Sequence, residues 1–93
     1  MENKFFRIHK LSNICMILES SIKNGEDYLK QVRDEMPNIV GAVVEFNGKQ
    51  TIVHVRKEDV LSVVDRDLQS LRCDLTARRA DMIHIIEELK NQD

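Results

Sequence analysis

Apolar residues in the first third of the chain recur at three- and four-residue steps, which is the spacing of one face of an α-helix. This stripe predicts a helix over residues 4–36, and the alternative for the start of this segment, Phe5 to Ile8, is a short strand. Asn24-Gly25 lies inside this segment and predicts a helix stop or a kink, because glycine favours helix ends. The run 14–18 is apolar on every side of a helix, so we expect this turn to be buried all round or to contact another subunit.

The pattern changes to strands after this helix. Met36-Pro37 ends the helix, because the residue before a proline avoids the helical conformation. Strands are predicted over residues 39–46 and 49–56, and the Asn47-Gly48 dipeptide between them favours a type I′ turn. A two-residue turn fixes the register of a hairpin, so the members of each face follow directly from the sequence.

The two faces of the predicted hairpin differ in composition. The first face is almost wholly apolar, and we expect it to lie against the core. It carries Val40, Ala42, Val44, Phe46, Lys49, Thr51, Val53 and Val55. A lone hairpin is only marginally stable in water, so either the protein's own helices or the same hairpin of a second chain should cover it.

The second face of the hairpin is mixed. Ile39, Val43 and Ile52 form an apolar stripe on it, and His54 and Arg56 lie beside the stripe. One interpretation is that this stripe packs beneath the first helix. The other is that these five residues form a docking surface for a partner or an inter-subunit sheet.

Residues 57–92 predict one long helix with a heptad repeat, in which Arg78 is the only charged residue at a core position. The apolar heptad residues, which we predict to form an oligomer interface, are Leu61, Val64, Leu68, Leu71, Leu75, Met82, Ile85 and Leu89. At about 1.5 Å per residue the helix is about 50 Å long. It is longer than a compact domain of this size, so we expect part of the stripe to need a partner.

Charges beside the heptad favour one orientation of that partner. In a parallel pair of helices, Asp67 would meet Arg72 of the other copy, and Asp74 would meet Arg79. An antiparallel pair would place aspartate against aspartate. The sequence therefore favours a parallel homodimer, and the alternative is antiparallel pairing with the first helix of the same chain.

Three arginines of the long helix are the strongest candidates for ligand chemistry. Arg78 must be paired or must reach solvent, because an unpaired buried guanidinium is costly. The simpler interpretation is that it extends to solvent beside Asp74 or Asp81. A cluster of Arg72, Arg78 and Arg79 is the alternative, and it would bind a carboxylate of a partner or the phosphates of a small ligand.

Composition excludes several functional classes. The 93 residues hold one domain, residues 1–93, and 14 basic against 16 acidic side chains give a net charge of −2. This balance disfavours a nucleic-acid protein, although Lys4, Arg7 and Lys10 form a small basic cluster.

Two cysteines, Cys15 and Cys73, lie in apolar helical patterns and are expected to be free thiols in a reducing cytoplasm.

The sequence contains no recognisable catalytic, metal-binding or cofactor-binding motif. His9, His54 and His84 are not spaced as metal ligands, and we expect them to be solvated or half-buried. No apolar run exceeds five residues, which is too short to span a bilayer. We therefore expect a protein that is not an enzyme, uses no cofactor or metal, and makes no membrane contact.

The order of helix, two-residue hairpin and long helix resembles two known layouts. Around 43–49 and the helix that follows, it is similar to small head-completion proteins of tailed phages. It also resembles prefoldin-type chaperone subunits, in which a coiled coil carries a hairpin at its tip. Both resemblances concern element order over residues 39–93 and assign no residue, because element order alone does not give function.

Together these patterns predict an α+β fold with helical residues 1–36, a hairpin over 39–56 and a coiled-coil helix over 57–92. The leading functional hypothesis is a non-enzymatic, self-associating cytoplasmic protein that binds a macromolecular partner, as an inhibitor, adaptor or assembly chaperone does. One alternative is a protein that sequesters a phosphorylated small molecule or nucleotide at an arginine-lined interface. A third hypothesis is a nucleic-acid-associated regulator.

Overall fold

The computed structural model describes residues 3–91, which form two long helices joined by a β-hairpin. The elements are α1 (Lys4–Glu35), β1 (Ile39–Phe46), β2 (Lys49–Arg56) and α2 (Lys57–Lys90). This α-β-β-α order of an α+β fold is the predicted one. The predicted end of the last helix at Gln92 lies outside the described residues.

Local signals account for both ends of α1. The Asn3 side chain caps the first turn, where its Oδ1 accepts a hydrogen bond of 2.7 Å from the backbone N–H of Phe5. The helix ends at Glu35, and Met36 is already extended because Pro37 follows it. The predicted boundary at the proline is therefore confirmed.

Of the two predictions for Asn24-Gly25, the helix stop is wrong, because α1 runs through both residues, and the kink stays a prediction. The structure gives Gly25 a different role. A Cβ placed on this residue would lie 2.6 Å from Cδ2 of Leu68 on α2. Glycine is therefore present because the second helix approaches closely here, and the helix accepts its conformational cost of about 1 kcal/mol.

The core lies between α1 and α2, which run antiparallel within one chain. Its buried residues are Leu11, Cys15, Leu18, Ile22, Val32, Leu68, Leu75 and Ile85. The remaining apolar heptad residues are partly buried, namely Leu61, Val64, Leu71, Met82 and Leu89. The pairing within one chain, which the sequence left open as the alternative, is thus the arrangement that the structure has. A parallel dimer through the same stripe stays a prediction and would require α1 to move away.

Only one side of each helix is covered, and this corrects the expectation for the run 14–18. Cys15 and Leu18 are buried, but Met16 and Ile17 are 64% and 66% exposed, so the run 14–18 is not buried all round. Cys73 is also exposed. The reason is the same at all these positions, because a two-helix layer leaves the outer side of each helix in solvent.

The β-hairpin has the predicted register, from Ile39 opposite Arg56 to Phe46 opposite Lys49. Asn47 and Gly48 have φ values of 51° and 75°, which a type I′ turn requires. The molecule measures 61 × 32 × 15 Å. The hairpin lies at the closed end of the helix pair, where α1 ends and α2 begins.

The expectation that one hairpin face would lie against the core is wrong. Val40, Ala42 and Val55 on that face are partly buried, but Val44 and Phe46 are exposed. The physical reason is the length of the strands. Only the residues at the base of the hairpin, far from the turn, lie near the helix ends. The rest of the hairpin extends beyond the helices.

Candidate functional site

The mixed face of the hairpin is an exposed apolar surface. Ile39, Val43 and Ile52 are 61%, 67% and 66% exposed, so the stripe does not pack beneath α1. His54 and Arg56 on the same face are exposed as well. The structure thus removes the interpretation in which the stripe belongs to the core, and a docking role stays the predicted one.

The base of the hairpin is fastened to the ends of both helices. Lys57, the first residue of α2, extends its Nζ to the backbone oxygens of Arg33 and Met36, at 3.1 and 3.2 Å. The backbone N–H of Lys57 donates to the Asn38 oxygen at 2.7 Å. These bonds satisfy carbonyl groups at the end of α1 and set the direction in which the hairpin leaves the helix pair.

An apolar groove of about 470 Å³ lies beside one edge of the hairpin. One wall comes from the end of α1, with Tyr28, Val32 and Met36, and Val60 of α2 contributes to it. The other wall is the segment 39–43 of β1, and no residue of β2 lines the groove. The groove therefore follows the free edge of β1, between that strand and the helices.

The three candidate arginines do not form one cluster. Arg79 makes an ion pair with Glu19. Nη2 of Arg72 lies 3.9 Å from Oε1 of Glu26. Both partners belong to α1, so these two arginines link the helices within the chain. The pairs of Asp67 with Arg72 and of Asp74 with Arg79 across a dimer stay predictions.

Arg78 occupies a different surface from Arg72 and Arg79. Its Nε lies 3.2 Å from Oδ1 of Asp74, and its side chain is about half exposed, as the simpler interpretation expected. With Arg7 and Lys10 of α1 it lines a shallow depression of about 260 Å³, which Asp81 also lines. The depression is basic on balance, whereas the predicted set of three arginines is dispersed.

The histidines lie in solvent. His9, His54 and His84 are all exposed, and Nε2 of His84 lies 3.0 Å from Glu88. Over residues 3–91, no group of three histidine, cysteine or acidic side chains is arranged to hold a metal ion. Neither α1 nor α2, as far as the structure describes them, is long and apolar enough to cross a membrane.

The groove is the feature that sequence reasoning missed. It is formed by residues far apart in the chain, and no local pattern contains that proximity. One signal pointed towards it. Apolar residues on both faces of the hairpin exceed what a single core-facing side needs.

In comparisons with known proteins, the chain matches no family model, no curated protein and no solved structure.

Proposed function

We propose that this protein is a non-enzymatic, self-associating module that binds a macromolecular partner through its β-hairpin. One observation carries the proposal. The hairpin has apolar side chains on both faces, and within one chain the helices leave most of them in water. Contiguous exposed apolar surface of this kind is typical of interaction sites rather than of a free protein surface.

The energetics of the hairpin support this proposal. An isolated two-stranded sheet is marginally stable and leaves two unpaired edges. The helix pair has a closed core of its own, to which no hairpin residue belongs. The hairpin is therefore not required to complete the core, and its apolar residues gain stabilisation when another molecule covers them.

The direct test measures mass and binding together. Light scattering gives the oligomeric state, and suppression of aggregation of a chemically unfolded protein measures partner binding. The variant Val43→Asp/Ile52→Asp places charges on a directly opposed pair of the mixed face. We expect this variant to lose partner binding and to weaken self-association.

The matched control is Met16→Asp/Ile17→Asp on α1, because these side chains are as exposed as Val43 and Ile52. It removes a comparable amount of exposed apolar surface away from the hairpin. The control should retain both properties. A wild-type protein that is monomeric and binds no unfolded protein would contradict the proposal, as would equal losses in the two variants.

A second candidate function rests on the depression lined by Arg7, Lys10 and Arg78. Guanidinium and ammonium groups that converge on one depression can bind phosphate oxygens. This candidate predicts that inorganic phosphate or a nucleotide raises the melting temperature, and that Arg78→Ala abolishes the shift. Arg72→Ala should leave the shift unchanged, since Arg72 lies outside the depression. No shift with the wild-type protein would exclude this candidate.

A further inference from the structure

We propose that a second copy of the chain binds the free edge of β1 with its own β1, antiparallel and related by a twofold axis. The two hairpins then form one four-stranded sheet, in which the order is β2, β1, β1 and β2. This inference rests on the proposed self-association and names the surface that carries it. Three features of the hairpin support this pairing, and the second and third of them select β1 over β2.

The first feature is the set of backbone groups that each edge presents. The two-residue turn makes Phe46 and Lys49 a hydrogen-bonded pair, and such pairs alternate with non-hydrogen-bonded pairs along the ladder. The pair of Val43 and Ile52 is therefore non-hydrogen-bonded. The N–H of Val43 points out from the free edge of β1, and the N–H of Ile52 points out from the free edge of β2. Each edge thus has unpaired donors for an added strand.

The second feature is the distribution of charge between the edges. Strand β2 carries Lys49 and Arg56 at its ends, with His54 between them, whereas β1 carries only Glu45. Charged side chains on an edge strand are a common device against pairing with another chain. The β2 edge has this protection, and the segment 39–44 of β1 has none.

The third feature is the apolar groove, which follows β1 and not β2. A strand added to β1 lies along the mouth of this groove, so its side chains on the helix-facing side pack against Tyr28, Val32 and Met36. Backbone pairing supplies direction and register, and the groove supplies apolar area that a bare edge lacks. No residue of β2 lines this groove, so a strand added at the β2 edge would not lie along it.

The sequence of β1 is self-complementary about Ala42. With Ala42 on the twofold axis, Val40 of one copy lies opposite Val44 of the other, which is a favourable pair of β-branched residues. Gly41 lies opposite Val43, and the missing side chain leaves room for the valine. In this register the outward backbone groups of both strands meet in hydrogen-bonded pairs.

The dimer also has a consequence for the mixed face. The apolar stripe of one hairpin becomes continuous with that of its partner across the new sheet. This gives a two-copy surface, built from Ile39, Val43 and Ile52 of each chain, for the macromolecular partner. The edge of β1 is thus the self-association site, and the sheet face remains free for the partner.

The test uses proline, which removes one backbone N–H without adding charge. Val43→Pro removes a donor from the β1 edge, and Ile52→Pro removes the equivalent donor from the β2 edge. Both N–H groups point away from the hairpin ladder, and the two residues are opposed and equally exposed. Under native mass spectrometry, we expect Val43→Pro to be monomeric and Ile52→Pro to dimerise as the wild type does.

A cross-linking measurement tests the register without relying on proline. In a Cys73→Ser background, Ala42→Cys places two thiols across the twofold axis in a non-hydrogen-bonded pair, at a separation that suits a disulfide. Oxidation should give a covalent dimer. Val53→Cys, whose residue opposes Ala42 within the hairpin, should remain uncrosslinked.

The outcomes separate this inference from the proposed function. A monomeric wild type overturns both self-association and the edge pairing, and it leaves the groove to an extended segment of another protein. A wild-type dimer that survives Val43→Pro and does not crosslink through Ala42→Cys overturns only the edge pairing. Loss of the dimer in both proline variants, with helical content unchanged, also overturns the choice of β1.

Discussion

The helix pair and the β-hairpin of this chain both carry strong apolar patterns. The helices bury their apolar residues within the chain, whereas the hairpin leaves most of its apolar residues exposed. Every buried core residue within 3–91 lies on α1 or α2, and the hairpin contributes none. The difference shows that an apolar pattern specifies that a surface is covered, but not what covers it. In the helix pair the cover is the same chain. In the hairpin the same chain leaves most apolar side chains exposed, and we propose that another molecule covers them.

The contrast also separates two kinds of energy within one small protein. The helices gain their stability from burial within the chain, at about 25 cal/mol per Å² of apolar surface. The hairpin keeps most of its apolar surface in water and is held by its turn, its ladder and the contacts at its base. Substitutions in the two regions should therefore report on different processes, folding in the first and association in the second.

The largest expected effect comes from truncating the most buried leucine. Leu68 is 1% exposed, so Leu68→Ala should lower the free energy of unfolding by about 2–5 kcal/mol. Ile52→Ala is the matched change in the hairpin, and it should cost less than about 1 kcal/mol because the side chain is already in solvent. Urea denaturation followed by circular dichroism measures both values.

Repeating the urea denaturation at several protein concentrations separates an effect on folding from an effect on association. Under conditions in which the chain is monomeric, the two variants should differ as stated. A large loss of stability in the Ile52→Ala monomer would show that the hairpin belongs to the folding core after all. A loss that appears only at high protein concentration would assign the isoleucine to association.

The next largest effect concerns the closest approach of the two helices. Gly25→Ala introduces a Cβ that meets the buried side chain of Leu68. Overpacking typically costs about 1–3 kcal/mol, and the better helix propensity of alanine returns about 1 kcal/mol. We expect a net destabilisation of about 1 kcal/mol in a thermal melt.

Asn24→Ala is the control for Gly25→Ala, since Asn24 precedes the glycine on the same helix and is exposed. It receives a helix-propensity benefit without a packing penalty. It should stabilise the protein by about 0.5 kcal/mol. If both alanines stabilise the protein, Leu68 moves aside freely and the close approach does not constrain the helix pair.

Local rules sufficed for much of the fold. The Asn47-Gly48 turn, the hairpin register and the boundary at Pro37 were all predictable, because each depends on neighbours in the sequence. Arg78 reaching solvent beside Asp74 was predictable for the same reason, since an i, i+4 pair lies on one helix. The helix pattern of α2 was equally clear.

The predictions that failed depended on contacts between elements that lie far apart in the sequence. Gly25 looked like a helix stop because its neighbour across the core, Leu68, is 43 positions away in the sequence. The heptad stripe of α2 required a helical partner, and a copy of α2 and the chain's own α1 satisfy that requirement equally well. The groove beside β1 combines three elements, so no single pattern contained it.

The last expected effect, no larger than that of Gly25→Ala, lies at the junction of the two regions. Lys57 holds the backbone oxygens of Arg33 and Met36 with its ammonium group and so joins the hairpin base to the end of α1. Lys57→Met keeps an unbranched side chain that is one atom shorter, and it removes both hydrogen bonds. We expect a loss of about 1 kcal/mol, because these bonds are partly solvated and end-of-helix carbonyls can turn to water.

The informative result for Lys57→Met is which region of the protein loses stability, and amide exchange measures this region by region. If the hairpin is an independent platform on a closed helix pair, amide exchange should accelerate in β1 and β2 while the amides around Leu68 keep their protection. Lys30→Met, a change of the same kind at an exposed position of α1, should alter neither region. Faster exchange around Leu68 would show instead that the hairpin base supports the core, and the division between a folding region and an association region would then fail at this residue.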